Sequence, residues 1–365
     1  MIQKISLSNF KSIAIKDATF SNINLLTGIN GKGKSSLLQV LLLLSQTWRM
    51  GKYTHFSPKG EFVDLGSFDD VHNRYSEDNR IEISLTINDE QFVISYEKNG
   101  LFGELCGLQY NGVDVFGDLE IMSVGDDMSH SISSSHVSSA SISDYPSLMA
   151  LKNMHYIAAN RRIPDGQYKY LTSQPATYIF PDGYNISEFI WKLSKDDLEQ
   201  LKSYMVDIFG SASLSITQEG EYYILRLDSL TNSPFLYEPK NVGYGYGYVL
   251  SLLTTLLLAK SNDTVIVENP EAHLHPSAQS KIMQVIAKVA VEKNIQFFIE
   301  THSDHIVNAL QVLIRKKEFV TKKNVSILFF GDEIENLQLT DTGHILSPPK
   351  MFCDQYYHDL NALFL

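Results

Sequence analysis

The stretch that decides the fold runs from residue 28 to residue 36 and reads GINGKGKSS. Its Gly28, Gly33, Lys34 and Ser35 fit the pattern G-x-x-x-x-G-K-[ST]. The apolar segment INLL precedes the stretch, and the apolar segment LLQVLLLL follows it. A strand that enters and a helix that leaves form the context this pattern requires. The stretch therefore predicts a phosphate-binding loop, in preference to a plain glycine-lysine turn before a core helix.

The chemistry of such a loop follows from its residue types. Glycines let the backbone close around phosphate oxygens, and successive N–H groups at a helix N-terminus attract negative charge. We expect the Lys34 ammonium to reach the outer phosphates and the Ser35 hydroxyl to bind magnesium. The sequence leaves Lys32 open between a phosphate contact and a solvated loop lysine.

Composition sets the broad class of the protein. At 365 residues and 44% hydrophobic content, the chain can form one large α/β domain with insertions or two ordinary domains. Its net charge of −12 argues against a surface built throughout to neutralise nucleic acid, although a local basic groove stays open. The two cysteines, Cys106 and Cys353, cannot form a disulfide framework, and the apolar runs are too short to span a bilayer. We therefore expect a cytoplasmic protein.

Hydrophobic periodicity predicts the main elements. Apolar and polar residues alternate over 80–87, as in a half-buried strand. The same reading predicts strands over 2–10, 12–20, 23–28 and 91–97 and a helix over 35–48. In the last 130 residues, strands at 263–268, 295–300 and 325–330 alternate with helices at 277–292 and 304–317. Strands separated by helices of this length predict a parallel sheet with right-handed crossovers.

The same patterns predict three regions. An N-terminal lobe is expected over 1–97 and a C-terminal lobe over 236–365. Between them, 98–235 reads as an insertion with a helix at 186–208. Its serine-rich stretch, 129–143, is either a mobile loop, which we favour, or an ordered edge hairpin.

Two predicted strands end in polar side chains. Glu268 ends the strand TVIVE, and His302 follows shortly after the strand IQFFIE. Because ligands bind at the carboxyl ends of parallel strands, Glu268 suits a magnesium site and His302 suits a contact with a terminal phosphate or an attacking water. Taken alone, a helix-capping glutamate and a core histidine explain them equally well.

Four motifs, LSNFKSI at 7–13, GINGKGKSS at 28–36, ENPEAHLHP at 268–276 and ETHSDH at 300–305, together resemble the ABC-class ATPases of the SMC/RecF/OLD-like AAA group. The tail from 343 to 360 resembles the C-terminal extension of single-chain bacterial members. The resemblance implies an α/β ABC-type head with a mixed N-terminal sheet and a mostly parallel core sheet flanked by helices. It also implies ATP and Mg²⁺ as ligands, and a homodimer, or a higher oligomer built from it, that closes around two ATP molecules.

Carried over position by position, the resemblance implies the site residues. Lys11 would lie near the nucleotide, Gln46 would sense magnesium, and Glu268 and His302 would be the Walker B acid and the switch histidine. The phosphates would be held by Asn30, Gly31, Lys32, Gly33, Lys34, Ser35 and Ser36. The segment 241–250, NVGYGYGYVL, resembles the signature segment that reaches a partner's γ-phosphate, through Gly243, Gly245 and Gly247. A glycine-tyrosine loop that only packs its rings is the alternative.

The sequence departs from the family at two places. Many relatives carry a serine where this chain has Gly247, so a hydroxyl contact is lost. Asn269 stands where a catalytic glutamate usually follows the Walker B acid, and an amide cannot accept the proton of a water molecule. Either Glu271 replaces that base, or hydrolysis is slow.

Other functions are less consistent with the sequence. His273 and His275 invite a metal-hydrolase interpretation, but the phosphate loop already explains the nearby acid. A guanine-reading N-K-x-D motif is absent from the sequence, and we expect no TOPRIM nuclease domain. We therefore expect an ATPase that acts as a sensor or regulator for a separate effector protein, a nuclease or a toxin, in bacterial anti-phage defence.

The alternative is a RecF- or SMC-like clamp that binds DNA directly. Its best support is the basic run RKKEFVTKK at 315–323, which otherwise reads as a solvated face. Arg161 or Arg162 could also touch phosphate or a dimer partner, with a structural ion pair as the competing explanation.

Overall fold

The structure, a computed structural model, describes residues 1–51, 54–116, 145–170, 176–350, 352 and 362–363. The chain divides into two compact units, one of residues 1–20 with 31–154 and one of residues 21–30 with 155–365. The serine-rich stretch 129–143 lies outside the described residues, as does most of the tail beyond 350. Among the helices of the described ranges, none is long and apolar enough to cross a membrane.

The first unit is built on a seven-stranded sheet with the order β2-β1-β5-β6-β7-β4, in which β8 also pairs with β7. Its strands are β1 (Ile2–Phe10), β2 (Ile13–Thr19), β4 (His55–Phe56), β5 (Arg80–Ile87), β6 (Glu90–Asn99), β7 (Phe102–Tyr110) and β8 (Val113–Asp114). Ile81, Ile83, Leu85 and Ile87 of β5 are buried while Arg80 and Glu82 are exposed. The alternating apolar and polar residues of this sequence segment thus lie on the buried and the exposed face of the sheet.

Helix α1 (Lys34–Arg49) belongs to the same unit and is buried almost throughout. Its leucines pack on several sides, and Arg49 in its last turn donates hydrogen bonds to the carbonyl oxygens of Lys152 (3.0 Å) and Met154 (2.6 Å). These bonds fix the C-terminal end of the helix. The unit also contains the short helices α2 (Phe68–Val71) and α3 (Pro146–Met149).

The second unit is built on a six-stranded sheet with the order β16-β15-β3-β14-β13-β9. Its strands are β3 (Ile23–Gly28), β9 (Met154–Ile157), β13 (Thr264–Glu268), β14 (Gln296–Glu300), β15 (Val325–Phe330) and β16 (Ile334–Leu337). The four central strands β15, β3, β14 and β13 are mutually parallel, and β16 is antiparallel at the edge. Their residues are buried almost without interruption, as in a sheet covered on both faces.

Helices of the second unit pack with this sheet in one hydrophobic core. They are α4 (Ile186–Trp191), α5 (Lys195–Phe209), α6 (Tyr244–Leu258), α7 (Pro276–Glu292) and α8 (Asp304–Lys316). A three-stranded antiparallel sheet, β10-β12-β11, completes the unit with β10 (Gln167–Lys169), β11 (Ser213–Glu219) and β12 (Tyr222–Asp228).

The predicted mostly parallel core sheet with flanking helices is confirmed, and three details of the sequence prediction change. Every described pairing in the N-terminal sheet is antiparallel, because β3 leaves that region and joins the core sheet. The predicted boundary at 97 falls inside β6, whose hairpin with β7 carries the sheet to Asp114. The predicted helix 186–208 is two helices, because Ser194 caps α5 by accepting a hydrogen bond from the Asp197 N–H.

Candidate functional site

The loop that follows β3 has the backbone that its glycines allow. Gly28, Gly31 and Gly33 have φ values of 121°, 77° and 103°, in the left-handed region. A Cβ atom on Gly28 would collide with the backbone of Phe330, while the Ile29 N–H donates to the Phe330 carbonyl oxygen at 2.9 Å. The chain can therefore leave β3 so close to β15 only with glycine at position 28.

Helix α1 begins directly after this loop, with Lys34 as its first residue. Lys34 is 3% exposed, so its side chain lies within the fold. The first turn of α1 contains no acidic residue, and the positive end of the helix dipole is therefore not neutralised from within. A loop of glycines with left-handed backbone, followed by a helix whose first turn carries no acidic residue, is suited to an anion.

Lys11 lies beside the same helix in the first unit. Its ammonium donates to the Gln39 Oε1 of α1 and lies 5.7 Å from the centre of the Phe10 ring. Burial lowers the pKa of Lys11. Close by in the sequence, Ile13 occupies the space where a Cβ on Gly33 would go. The start of the N-terminal hairpin thus packs against the loop end and the first turns of α1.

In the second unit, three strand ends lie at one level of the core sheet. The register pairs Glu268 of β13 with Glu300 of β14, and Glu300 with Leu26 of β3. Beyond β14, the Thr301 N–H donates to the Leu26 carbonyl oxygen at 3.1 Å. The carboxyl ends of β13 and β14 therefore stand beside the end of the strand that enters the loop, as the sequence predicts.

The Glu268 carboxylate is held by the segment that follows β9. It accepts a hydrogen bond from the Ala159 N–H at 3.3 Å and another from the Tyr156 hydroxyl. Burial raises the pKa of the Glu268 carboxyl, and these two hydrogen bonds and the charge of Arg161 oppose that shift.

The turn after β13 brings Asn269 and Glu271 next to β14. Asn269 has φ 45° and its N–H donates to the Glu300 carbonyl oxygen at 2.8 Å. The Glu271 Oε1 accepts from the His302 N–H at 2.9 Å. The Asn269 Oδ1 and the Glu271 Oε2 are buried, and neither has a hydrogen-bond partner within the described part of the chain. His302 itself is exposed.

Arg161 was missed as a contributor to this turn. The sequence offered it as a phosphate or partner contact, but its guanidinium donates to the carbonyl oxygens of Ala158 (3.0 Å), Glu268 (2.8 Å) and Asn269 (2.7 Å). The neighbouring Arg162 forms an ion pair with Asp182 at 2.6 Å, with its side chain 64% exposed. No sequence pattern distinguishes the two arginines, because they are adjacent and identical in type.

The signature-like segment forms the start of α6. Gly243 precedes the helix and is exposed, whereas Gly245 and Gly247 are buried in its first turn. A Cβ on Gly245 would approach the His273 carbonyl oxygen to 2.9 Å, so this glycine serves close packing against the turn after β13. Gly243 is exposed just before the helix, and its carbonyl oxygen accepts a hydrogen bond from the Tyr246 N–H at 3.0 Å.

The structure does not support Gln46 as a magnesium ligand. Gln46 lies in the penultimate turn of α1, about 16 Å along the helix axis from Ser35. Its side-chain amide is buried, donates to the Ser57 carbonyl oxygen, and accepts from the N–H groups of Phe62 and Val63. Its hydrogen-bonding capacity is used to fix the 57–63 loop.

The two histidines of the H-L-H pair have other partners. The His273 ring lies 4.5 Å from the Tyr248 ring, and His275 caps α7 by accepting from the Ser277 N–H. Among the described residues, no group of three or more His, Cys, Asp or Glu side chains is placed to hold a metal ion.

Comparison with known proteins places the chain in a family. The family model described as AAA ATPase domain matches residues 1–220 and 185–307. The Old nuclease of Escherichia phage P2 is 21% identical over 384 aligned residues, which cover 95% of this chain. The chain spans 64% of the length of that relative.

Solved structures resemble the chain over most of its length. An SMC head bound to the C-winged helix domain of ScpA gives a TM-score of 0.49 at 12% identity, covering 100% of this chain and 99% of that one. The recombination mediator RecF–ATPrS of the RecFOR pathway gives 0.44 at 11% identity, covering 93% and 98%.

Proposed function

The chain belongs to the AAA ATPase domain family, and we propose that it binds ATP with Mg²⁺ at the loop 28–36 and hydrolyses the γ-phosphate. One observation supports this most strongly. The loop starts at the end of β3, and Glu268 and Glu300 end their strands at the level of Leu26, two residues before the loop. The loop proposed to bind the phosphates and two acidic side chains therefore lie at the same edge of the sheet.

The roles follow from the chemistry of each group. In the proposal, the backbone N–H groups of 30–36 and the Lys34 ammonium hold the phosphates, and Lys11 stands at the nucleotide's edge. Ser35 and Glu268 supply the hydroxyl and carboxylate oxygens that magnesium prefers. Bound there, the ion would neutralise charge on the β- and γ-phosphates. His302 is assigned to the terminal phosphate.

We assign the general base to Glu271. Asn269 cannot take a proton, whereas Glu271 is a carboxylate held by the His302 N–H at one oxygen and buried without a described partner at the other. In the proposal, the attacking water gives its proton to that second oxygen.

The test of ATP binding is Lys34→Ala, measured by calorimetric titration with ATP and magnesium. We expect affinity to fall about 10- to 100-fold, because a hydrogen-bonded cation is lost from the phosphates. Lys169→Ala is the control: Lys169 is exposed and pairs with Glu221 at 2.9 Å, so its loss should leave affinity within about twofold. Unchanged affinity in a folded Lys34→Ala protein would refute the phosphate assignment.

The test of the base is Glu271→Gln, measured by phosphate release. The amide retains the oxygen that accepts from His302, so we expect turnover to fall about 100-fold while ATP still binds. Asn269→Glu should not raise turnover, because its left-handed backbone disfavours glutamate. If Asn269→Glu accelerates hydrolysis and Glu271→Gln remains active, the base belongs at position 269.

We also propose that two copies close around two ATP molecules, with the start of α6 at Gly243 facing the partner's γ-phosphate. The Glu271→Gln variant is suited to the test, because slow hydrolysis should leave ATP bound. We expect its molar mass, measured by light scattering, to double when ATP is added. A separate nuclease or toxin would then respond to the closed state, in anti-phage defence. The name of the phage relative is compatible with that role, and a DNA clamp is the alternative.

A further inference from the structure

Arg161 is a buried cation without a role in the proposed hydrolysis. It follows β9 by four residues and is 4% exposed. Burial lowers the pKa of its guanidinium to about 10, against the opposing influence of Glu271 and Glu268, so it is charged at neutral pH. A charged group this deep has to be compensated by specific partners.

The partners of Arg161 are main-chain oxygens of the turn that carries the acids. The guanidinium joins the carbonyl oxygens of Glu268 and Asn269 to that of Ala158. The Asn269 carbonyl oxygen also accepts from the Ala272 N–H at 3.0 Å, and the Leu274 N–H donates to the Glu271 carbonyl oxygen. Arg161 thus binds the turn at Asn269, the residue whose carbonyl oxygen also accepts the first hydrogen bond within the turn.

The same short segment holds the side chain of Glu268. Tyr156 and Ala159 bind its carboxylate, while Arg161 binds its carbonyl oxygen. Main chain and side chain of Glu268 are therefore oriented by residues 156–161. A planar guanidinium can bridge several carbonyl oxygens in fixed directions, which an ammonium cannot do equally well.

Arg161 also contacts α6. Its guanidinium carbon lies 5.5 Å from the centre of the Tyr248 ring, and that ring lies 4.5 Å from the ring of His273 in the same turn. Gly245, one helical turn earlier, packs against the His273 carbonyl oxygen. The turn after β13 and the first turns of α6 are joined through the arginine and by direct packing.

We propose that Arg161 is a positioning residue that locks the turn carrying Glu268, Asn269 and Glu271 to the start of α6. Through Arg161, the positions of Glu268 and Glu271 are coupled to the start of α6, the segment assigned to the γ-phosphate bound by a second copy. This inference rests on the proposed function and extends it, because it names the side chain that makes the two segments move together.

Three variants of the 365-residue chain test it. Arg161→Met keeps much of the apolar stem and removes every donor, Arg161→Lys keeps the charge, and Arg162→Met is the control at an exposed ion pair. For Arg161→Met we expect kcat to fall about 100-fold, as for misplaced catalytic groups, with the ATP Kd changed less than about threefold. Arg161→Lys should recover part of the loss, and Arg162→Met should match the wild type.

Hydrogen–deuterium exchange without nucleotide provides the second measurement. Amides of residues 269–274 should exchange faster in Arg161→Met, and by a smaller factor in Arg161→Lys, while Arg162→Met leaves them unchanged. If Arg161→Met does not fold, Arg161→Lys carries the test, with faster exchange in this turn expected.

The outcomes separate the two proposals. If the wild type neither binds nor hydrolyses ATP, the proposed function fails, and the exchange measurement still decides whether Arg161 holds the turn. Exchange in 269–274 that is unaffected by the folded Arg161 variants would overturn the inference. So would a kcat for Arg161→Met within about twofold of the wild type, or an equal loss in Arg162→Met.

Discussion

Gln46 illustrates what a residue type in a motif context does and does not establish. The family resemblance implied a magnesium role for Gln46, yet its amide is buried and hydrogen-bonded to backbone groups of Ser57, Phe62 and Val63. A Cβ added to Gly60 would also collide with this amide. The side chain therefore organises a loop of the first unit.

That placement gives a prediction for Gln46→Met, a replacement of similar length. Three backbone groups lose their partner, so we expect the free energy of unfolding to fall by about 2–4 kcal/mol. The ATP affinity of the folded fraction should be unchanged. Urea denaturation and titration measure the two quantities, and a loss of magnesium-dependent ATP binding without a loss of stability would restore Gln46 to the metal site.

Single residues of the candidate site differ in how far the sequence could predict them. Glu268 and His302 follow apolar strands, and parallel strands bring their ends together, so their neighbourhood was predictable. The role of Arg161 was not, because its hydrogen bonds go to carbonyl oxygens that every residue possesses. The sequence also does not predict the left-handed backbone of Asn269, although Asn is one of the residues that tolerate this conformation.

At the scale of elements, α6 depends on glycines for packing. A Cβ atom on Gly245 would lie 2.9 Å from the His273 carbonyl oxygen and 3.0 Å from the Leu274 side chain, whereas one on Gly243 would meet only the Tyr246 ring, at 3.7 Å or more. The glycine repeat that resembles a signature segment thus contains positions with different physical demands.

Gly245→Ala should therefore destabilise the protein although alanine favours a helix. Overpacking destabilises a protein by about 1–3 kcal/mol, whereas alanine in place of glycine stabilises a helix by about 1 kcal/mol. We expect the overpacking cost at Gly245 to be the larger of the two. Gly243→Ala, outside the helix proper, should change stability by less than about 1 kcal/mol. Denaturant unfolding of both variants is the measurement. A Gly245→Ala protein as stable as Gly243→Ala would contradict the close packing of Gly245 against His273.

Element bounds were predictable where one periodicity runs unbroken. The strand predicted at 325–330 coincides with β15, and that at 23–28 with β3. The hairpin strand β7 was missed because Gly103 and Gly107 interrupt its alternation. Both glycines lie in the sheet, where Gly103 makes room for the Phe68 ring and the Phe56 Cβ atom. Tertiary packing, which a local pattern does not contain, decides such cases.

The whole molecule carries a net charge of −12, which bears on the choice between a regulator and a DNA clamp. The basic run 315–323 lies at the end of α8, where Arg315 and Lys316 suit the negative end of the helix dipole and Lys322 pairs with Asp341 at 3.0 Å. These contacts explain part of the run without nucleic acid.

We therefore expect weak binding to duplex DNA at about 150 mM salt, with or without ATP, and a shallow dependence on salt concentration. Fluorescence anisotropy over a salt series provides the measurement. Tight binding that appears with ATP and falls steeply with salt would favour the clamp. Reversing Lys322 and Lys323 to glutamate would then show whether the basic run is its contact.

The position of β3 has a consequence for biosynthesis. This strand emerges among the first 30 residues, yet its two neighbours are β14 and β15, so Ile23 must wait for Phe297 and Val325 before it is paired on either side. Closing so long a segment is entropically costly and slow. During translation, an apolar strand with both edges unpaired therefore persists until β14 and β15, Gln296–Glu300 and Val325–Phe330, have been synthesised. Premature termination would release aggregation-prone fragments that are unable to fix the nucleotide loop.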